Sequence, residues 1–146
     1  MFIRSVMTKT PACCKPSDTL DTVAKLMVEH NCGEIPVCDG AKLVGVITDR
    51  DIACRAVALN RTPSAVAASE VMTKDVITIH ENAKLDAALD VMQKKLVRRL
   101  PVVDDDGEII GIVSQADLLA KIPTLKVARA MKTVAKKTRK PAIATY

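Results

Sequence analysis

The sequence predicts an α/β (α+β) fold built of two β-α-β-β-α repeats related by pseudo-twofold symmetry, and three observations predict it. The chain repeats itself in register: Val6, Met7 and Thr8 return as Val71, Met72 and Thr73, an offset of 65 residues (71 minus 6). Both copies carry the same order of periodic segments, since Leu20, Val23, Ala24 and Met27 return as Leu85, Ala88, Leu89 and Met92, and Ile35, Pro36, Val37 return as Leu100, Pro101, Val102. After one extra residue in the second copy, Gly45 to Asp51 (GVITDRD) returns as Gly111 to Asp117 (GIVSQAD). With only 146 residues, neither copy is large enough to enclose a core alone, so the two are expected to pack together. The expected division is residues 1–64 for the first repeat, 65–122 for the second and 123–146 for a basic carboxy-terminal tail.

Each element has a local reason. Ser17 is placed to cap a helix whose apolar positions Leu20, Val23, Ala24, Met27 and Val28 form one stripe, with Asn31 and Gly33 as stop signals. Ile35 to Cys38 reads as a short strand, at an edge because of Pro36, and Asp39 and Gly40 turn the chain into a second strand, Leu43 to Thr48. Thr48 opens a helix through Ile52, Ala53, Ala56 and Val57. The second copy gives a helix from Asn82 to Leu96, a strand from Leu100 to Val103, a turn at Asp105 to Gly107, a strand from Ile109 to Val113 and a helix from Ser114. Cys13 and Cys14, and Val76 to Ile79, are the expected leading strands, and Asn60 to Ser69 joins the copies. Beyond Pro123, Leu125, Val127, Ala130, Met131 and Val134 suit a short amphipathic helix, and Lys136 to Tyr146 has the composition of a disordered end.

Composition narrows the function. No run approaches the roughly 18 consecutive apolar residues of a membrane span, and the start, MFIRSVMTKT, lacks the apolar stretch of a secretory signal, so a cytoplasmic protein is expected. The net charge of +5 is uneven: Lys121, Lys126, Arg129, Lys132, Lys136, Lys137, Arg139 and Lys140 face no acidic residue from position 121 onward. Taking these eight from 22 basic residues leaves 14 against 17 acidic ones in the first 120 positions, a balance of −3. The five cysteines, Cys13, Cys14, Cys32, Cys38 and Cys54, all lie in the first repeat, and their odd count and uneven spacing do not make a disulfide framework. They read as small apolar residues of a reduced core. A metal site is disfavoured, because no CxxC pair exists and His30 and His80 make no ligand spacing with them. Redox sensing by Cys13, Cys14 or Cys32 would require a lowered thiol pKa.

The segment with chemical potential is Thr48, Asp49, Arg50, Asp51, where a strand passes into a helix. Thr48 offers a hydroxyl to phosphate, and Asp51, one turn on, suits the two hydroxyls of a ribose. Gly45 lets neighbouring backbone approach closely. Ser114 and Asp117 repeat the hydroxyl and carboxylate at the same spacing, with Gly111 three positions before. Either pair taken alone is nearly a capping box and needs no ligand; the recurrence within a long repeat is what points to a family.

These marks, VMTK opening each copy (Val6 to Lys9, Val71 to Lys74), IPV and LPVVD before the hairpin turn, and GVITDRD and GIVSQAD after it, resemble the cystathionine-beta-synthase (CBS) domain pair, or Bateman module. The resemblance covers roughly residues 1 to 122, and Thr48 to Ala58 (TDRDIACRAVA) is similar to small prokaryotic stand-alone CBS proteins of the hypoxic-response type. It implies a regulatory, energy-sensing module without catalytic activity, with clefts for an adenine nucleotide (AMP, ADP, ATP) or a related adenosyl ligand such as S-adenosylmethionine. By motif, Thr48 and Asp51 would serve one cleft, with Arg50 from its own loop, and Ser114 and Asp117 the other. Ile77 and Thr78 would border an adenine, as would Ala12 and Cys13, while Arg98 and Arg99, just before Leu100 and Pro101, would meet phosphate. The first copy has Gly33 and Glu34 where the second has Arg98 and Arg99, so the two clefts are expected to be unequal. The resemblance also implies a homodimer and a separate regulated protein.

Two other functions compete. An enzyme would need machinery such as GxSxG, HExxH, a P-loop or GxGxxG, none of which is present, and the two histidines give little general-base capacity. Nucleic-acid or acidic-partner binding through the basic tail is the stronger alternative, although Phe2 and Tyr146 are the only aromatic residues and base stacking is nearly excluded. The tail is expected to stand apart from the nucleotide clefts.

Overall fold

A computed structural model describes residues 1–122 and, beyond them, Leu125, Ala128, Arg129, 131–133 and Ala135. Its elements follow the repeat: β1 (Thr8–Lys9), α1 (Leu20–Glu29), β2 (Glu34–Asp39), β3 (Lys42–Thr48) and α2 (Asp49–Arg55), then α3 (Ala68–Val71), β4 (Ile79–His80), α4 (Leu85–Lys95), β5 (Arg99–Val103), β6 (Ile109–Ser114) and α5 (Gln115–Leu119). The chain divides into two units, one of Pro11–Val76 and one that joins Met1–Thr10 to the chain from Ile77 onward. The first ten residues therefore pack with the second repeat.

In the unit of Pro11–Val76, β2 and β3 form an antiparallel hairpin around Gly40, whose φ of +64° suits the turn. Leu20, Val23 and Met27 of α1 are buried with Ile35, Val37, Ile47, Ala68 and Val71. Val28, assigned to the same stripe by its spacing, is instead 83% exposed. Ser17 does not cap α1; the helix starts after Thr19, and the Leu20 amide donates to the carbonyl of Val66 at 3.0 Å, so the linker between repeats supplies the partner that a cap would have supplied. That linker carries a 3-10 turn at Pro63–Ala65 and helix α3. The expected leading strand reduces to one parallel bridge, Cys14 with Val37.

The second unit repeats the plan with a four-stranded sheet, ordered β1-β6-β5-β4 among the described residues. Ile3, Leu85, Ala88, Leu89, Met92, Leu100, Val102, Val113 and Leu118 fill its core. Helix α4 begins at Leu85 rather than at Asn82, and ends at Leu96 in a left-handed conformation, φ 59°. The leading strand is shorter than expected, Ile79–His80 pairing parallel to Val102 and Val103, with Val76, Ile77 and Thr78 outside any strand. Both hairpins carry a register shift at the same place, between Val37 and Cys38 and between Val102 and Val103. Val127, Ala130 and Val134 of the expected amphipathic helix, and the expected disordered end Lys136 to Tyr146, lie outside the described residues. Among the described residues no helix is long and apolar enough to cross a membrane.

The repeated Val-Met-Thr segments explain the two motif glycines. Thr73 pairs with Val46 of β3, and Thr8 pairs with Ile112 of β6. A Cβ on Gly45 would lie 2.5 Å from Met72 Sδ and 3.1 Å from the Thr73 carbonyl oxygen, and one on Gly111 would lie 2.6 Å from Met7 Sδ and 2.9 Å from the Thr8 carbonyl oxygen. The backbone that approaches each glycine is thus the chain's own.

Candidate functional site

Thr48 and Ser114 stand at equivalent ends of β3 and β6, both with extended backbone, and each closes a capping box. The Asp51 amide donates to Thr48 Oγ1 at 3.1 Å and the Thr48 amide donates to Asp51 Oδ2 at 3.0 Å. In the second repeat the Asp117 amide donates to Ser114 Oγ at 3.3 Å, while the Ser114 amide and hydroxyl donate to Asp117 Oδ2 at 2.7 and 2.8 Å. The capping role considered for these residues is therefore present in both copies. It uses one carboxylate oxygen of each aspartate and leaves the other to be accounted for.

The remaining oxygens differ. Asp51 Oδ1 lies 3.7 Å from Arg55 Nε, and Arg55 also donates from its guanidinium to the Val71 carbonyl at 3.0 Å, so the first carboxylate is tied down. Asp117 Oδ1 has no partner among the described residues. The sequence reading missed Arg55, although an acid followed four positions later by a base on a helix is a known pairing signal; its counterpart, 66 positions on (121 minus 55), is Lys121.

Charge separates the sites further. The strand register sets Glu34 opposite Thr48 and Arg99 opposite Ser114, and directly opposed residues share a sheet face. The Asp49 amide donates to the Gly33 carbonyl and the Gln115 amide to the Arg98 carbonyl, each at 3.0 Å. The first junction thus gathers Glu34 and Asp49, and the second gathers Arg98, Arg99 and Gln115. Arg98 and Arg99 are exposed, as is Arg50, whose amide donates to Asp49 Oδ1 at 2.8 Å. Ile77 is half-buried against the second core, Thr78 is exposed, and Pro101 is buried in β5 opposite Ile112.

The tail does not stand wholly apart. Met131, Lys132 and Ala135 line a cavity with Arg98 and Gln115, which corrects the expectation that this segment is clear of the second repeat's site residues.

The cysteines follow the core reading in part. Cys14 and Cys38 are buried, and burial is the main cause that pushes each thiol up to about 12, with Asp18 and Cys13 adding to it at Cys14 and a hydrogen bond with Cys13 adding to it at Cys38. Cys13 is exposed and Cys32 and Cys54 are half-buried. Among the described residues no group of three His, Cys, Asp or Glu side chains is placed to hold a metal ion.

Two repeats of one hairpin-and-helix unit, each ending in the same hydroxyl–carboxylate junction, make up a tandem-repeat module, and the chain belongs to the CBS domain family, whose model matches residues 3–56 and 68–124. The chain is 31% identical over 132 residues to hypoxic response protein 1 of Mycobacterium tuberculosis, covering 90% of this chain and 92% of that protein. It spans 57% of another relative, the Methanopyrus kandleri protein MK0525, at 36% identity over 111 residues. Among solved structures, Hypoxic Response Protein I with two coordinated zinc ions superposes with a TM-score of 0.78 at 32% identity, covering 84% of this chain and all of that one (100%). The CBS domain pair of MJ0100, in complex with 5-methylthioadenosine and S-adenosyl-L-methionine, gives 0.73 at 33% identity over 82% of this chain and 94% of that one. CBSX2 in complex with AMP gives 0.72 at 26% identity over 88% and 98%.

Proposed function

We propose that the chain is a regulatory sensor that binds an adenosyl ligand at the second repeat and acts on a separate protein. The observation that carries this reading is the contrast between Asp117, whose Oδ1 is open for a ribose hydroxyl, and Asp51, whose Oδ1 is held by Arg55. Asp117 accepts the ribose hydroxyls, Ser114 orients it, and Arg98 and Arg99 attract phosphate. Ile77 and Thr78 border the adenine, and Pro101 backs the strand that carries the arginines. The bound AMP of CBSX2 and the adenosyl ligands of the MJ0100 pair support this ligand class. Thr48, Arg50 and Asp51 form the weaker site, because Glu34 and Asp49 repel a phosphate there.

A phosphate-bearing ligand, AMP, ADP or ATP, is preferred over S-adenosylmethionine, since the cations Arg98 and Arg99 face the site and the sulfonium adds a further positive charge. A cytoplasmic homodimer is part of the same reading, with exposed Val28, Val57 and Leu59 offering apolar surface to a second copy. Isothermal titration of AMP, ATP and S-adenosylmethionine into the protein tests the assignment. Binding of AMP or ATP that Asp117→Asn weakens and Asp51→Asn does not is the expected result; no heat from any of the three ligands refutes it.

A further inference from the structure

Cys13 and Cys14 are adjacent thiols ahead of α1, and the backbone decides which way each one points. The Cys14 amide donates to the Pro36 carbonyl and the Cys38 amide to the Cys14 carbonyl, each at 2.9 Å, which sets Cys14 in parallel register with Val37 of β2. Cys14 and Val37 are both buried in the first repeat's core. Side chains alternate along extended chain, so the residue before Cys14 and the residue after Val37 turn to the other face. Those residues are Cys13 and Cys38, and their thiols are hydrogen-bonded to each other. Cys13 is exposed, and Cys38, although largely covered, lines a cavity of about 440 Å³ with Lys15, Pro16, Ser17, Asp39 and Gly40. The same positions in the second repeat, 65 residues on, hold Thr78 and Val103, so only the first repeat sets two thiols side by side there.

We propose that Cys13 and Cys38 are a covalent modification site, forming a reversible intrachain disulfide by exchange with a low-molecular-weight disulfide. The exposed Cys13 sulfur, as thiolate, attacks one sulfur of the small disulfide, which forms a mixed disulfide and releases one small thiolate. Cys38 then gives up its proton and attacks the Cys13 sulfur, closing the protein disulfide and releasing the second small thiolate. Two protein thiols are thus oxidised by two electrons, the small disulfide is reduced to two thiols, and those thiols take the two protons. Closure needs the sulfurs to move from hydrogen-bonding contact to a bond of about 2.0 Å, and Cys13, outside any strand, can supply that movement. The bond staples the segment before α1 to β2 and encloses the whole of α1, since its ends are 25 positions apart (38 minus 13). A cross-link of that span restricts the unfolded chain and so stabilises the first repeat. The staple is independent of the second repeat's ligand site.

The experiment equilibrates the full chain with mixtures of reduced and oxidised glutathione, quenches with acid, alkylates the unfolded protein and counts labelled cysteines by mass. Wild type is compared with Cys13→Ser, Cys14→Ala and Cys38→Val. As oxidised glutathione increases, wild type is expected to fall from five labelled cysteines to three, five minus the bonded pair, while remaining a single chain without a glutathione adduct. Its urea unfolding midpoint is expected to rise in step. Cys14→Ala keeps both responses, Cys13→Ser loses both, and Cys38→Val stops at a glutathione adduct on Cys13 because the second attack has no sulfur to make it. Cys13 is exposed, so Cys13→Ser tests the pairing even where Cys38→Val does not fold. Five labelled cysteines in fully oxidised wild type, a wild type that stops at the glutathione adduct, or a bond between two chains would each overturn the proposal. So would an undiminished loss of two thiols in Cys13→Ser, or a bond that forms without raising the urea midpoint.

Discussion

The two strand-to-helix junctions have the same backbone and opposite charge. Both are closed by a hydroxyl and an aspartate three residues on, and both tie the first helical amide to the residue just before the hairpin. In the first, Arg55 pairs with the aspartate and Glu34 stands opposite Thr48; in the second, the aspartate keeps an open oxygen and Arg99 stands opposite Ser114. A capping box is sufficient reason for the hydroxyl and the carboxylate, so those residues alone do not distinguish a binding site from a helix start. The surrounding charges do, and they are the part of the motif in which the repeats diverge.

The largest effect expected from breaking this symmetry is structural. Gly111→Ala would set a Cβ 2.9 Å from the Thr8 carbonyl, whereas Gly45→Ala would set one 3.1 Å from that of Thr73. Methionine side chains can swing away, but backbone carbonyls in a paired strand move with difficulty. Gly111→Ala is expected to cost about 2 to 3 kcal/mol and Gly45→Ala about 1 to 2 kcal/mol, within the range for overpacking. Urea unfolding of the two variants checks the order; negligible losses would show that the Val-Met-Thr segments are not held against these strands.

The next effect is on affinity. Asp117→Asn keeps an acceptor for the Ser114 amide and so preserves the helix start, yet removes the charge proposed to receive the ribose hydroxyls. If Asp117 holds the ribose as proposed, the variant is expected to weaken AMP or ATP about tenfold, equivalent to about 1.4 kcal/mol. Asp51→Asn is expected to change affinity less than twofold while losing the Arg55 pairing, an exposed-to-half-buried contact worth about 0.5 kcal/mol. Isothermal titration on both variants reads the difference directly.

A smaller effect tests the charge at the opposing strand position. Arg99→Glu is expected to weaken ATP about threefold at low salt, and Glu34→Arg to strengthen any binding at the first junction by a similar factor, both fading as salt shortens the screening length to about 8 Å at physiological ionic strength. The readout is the stoichiometry and affinity of ATP at two salt concentrations. A Glu34→Arg protein that gains nothing would place the asymmetry in the aspartates and not in the strand charges.

The order of elements, both hairpins and their turns were legible in the sequence because they follow from short-range periodicity and from Gly40 and Gly107, both at positive φ. The starts of α2 and α5, at Thr48 and Ser114, were legible too, whereas those of α1 and α4 were not. Ser17 and Asn82 are good caps by type, yet the amide of Leu20 is satisfied by Val66, a partner 46 residues away (66 minus 20), which no local pattern announces. Gly45 makes room for close backbone, as a glycine there suggests, but the occupant of that room, Thr73, comes from the far side of the linker. The pairing of Asp51 with Arg55 is legible as an acid and a base four positions apart on a helix. The cavity that brings Lys132 to Arg98 was not legible, since the two residues are 34 positions apart (132 minus 98) with no periodicity linking them.

The smallest effect concerns the thiols, which only the first repeat carries. Position 38 is cysteine where the second repeat has Val103, and position 14 is cysteine where it has Ile79. Burial raises both thiols to about 12 from an ordinary value of 9.0, which means that they stay protonated in the folded protein while the unfolded chain ionises them above pH 9. The folded state therefore loses their contribution as pH rises from about 9 toward 12, and below 9 it is unaffected. Cys38→Val, which installs the second repeat's residue, is expected to change stability at pH 7 by less than about 1.5 kcal/mol. The same variant should lose stability less steeply than wild type between pH 9 and the limit of alkaline measurement. At pH 8, alkylation followed by mass spectrometry should label exposed Cys13 first and Cys14 and Cys38 last, because burial both shields those two thiols and keeps them protonated. Rapid labelling of Cys38 at that pH would show that the first hairpin opens far more readily than the second, and the difference between the repeats would then be one of stability as well as of charge.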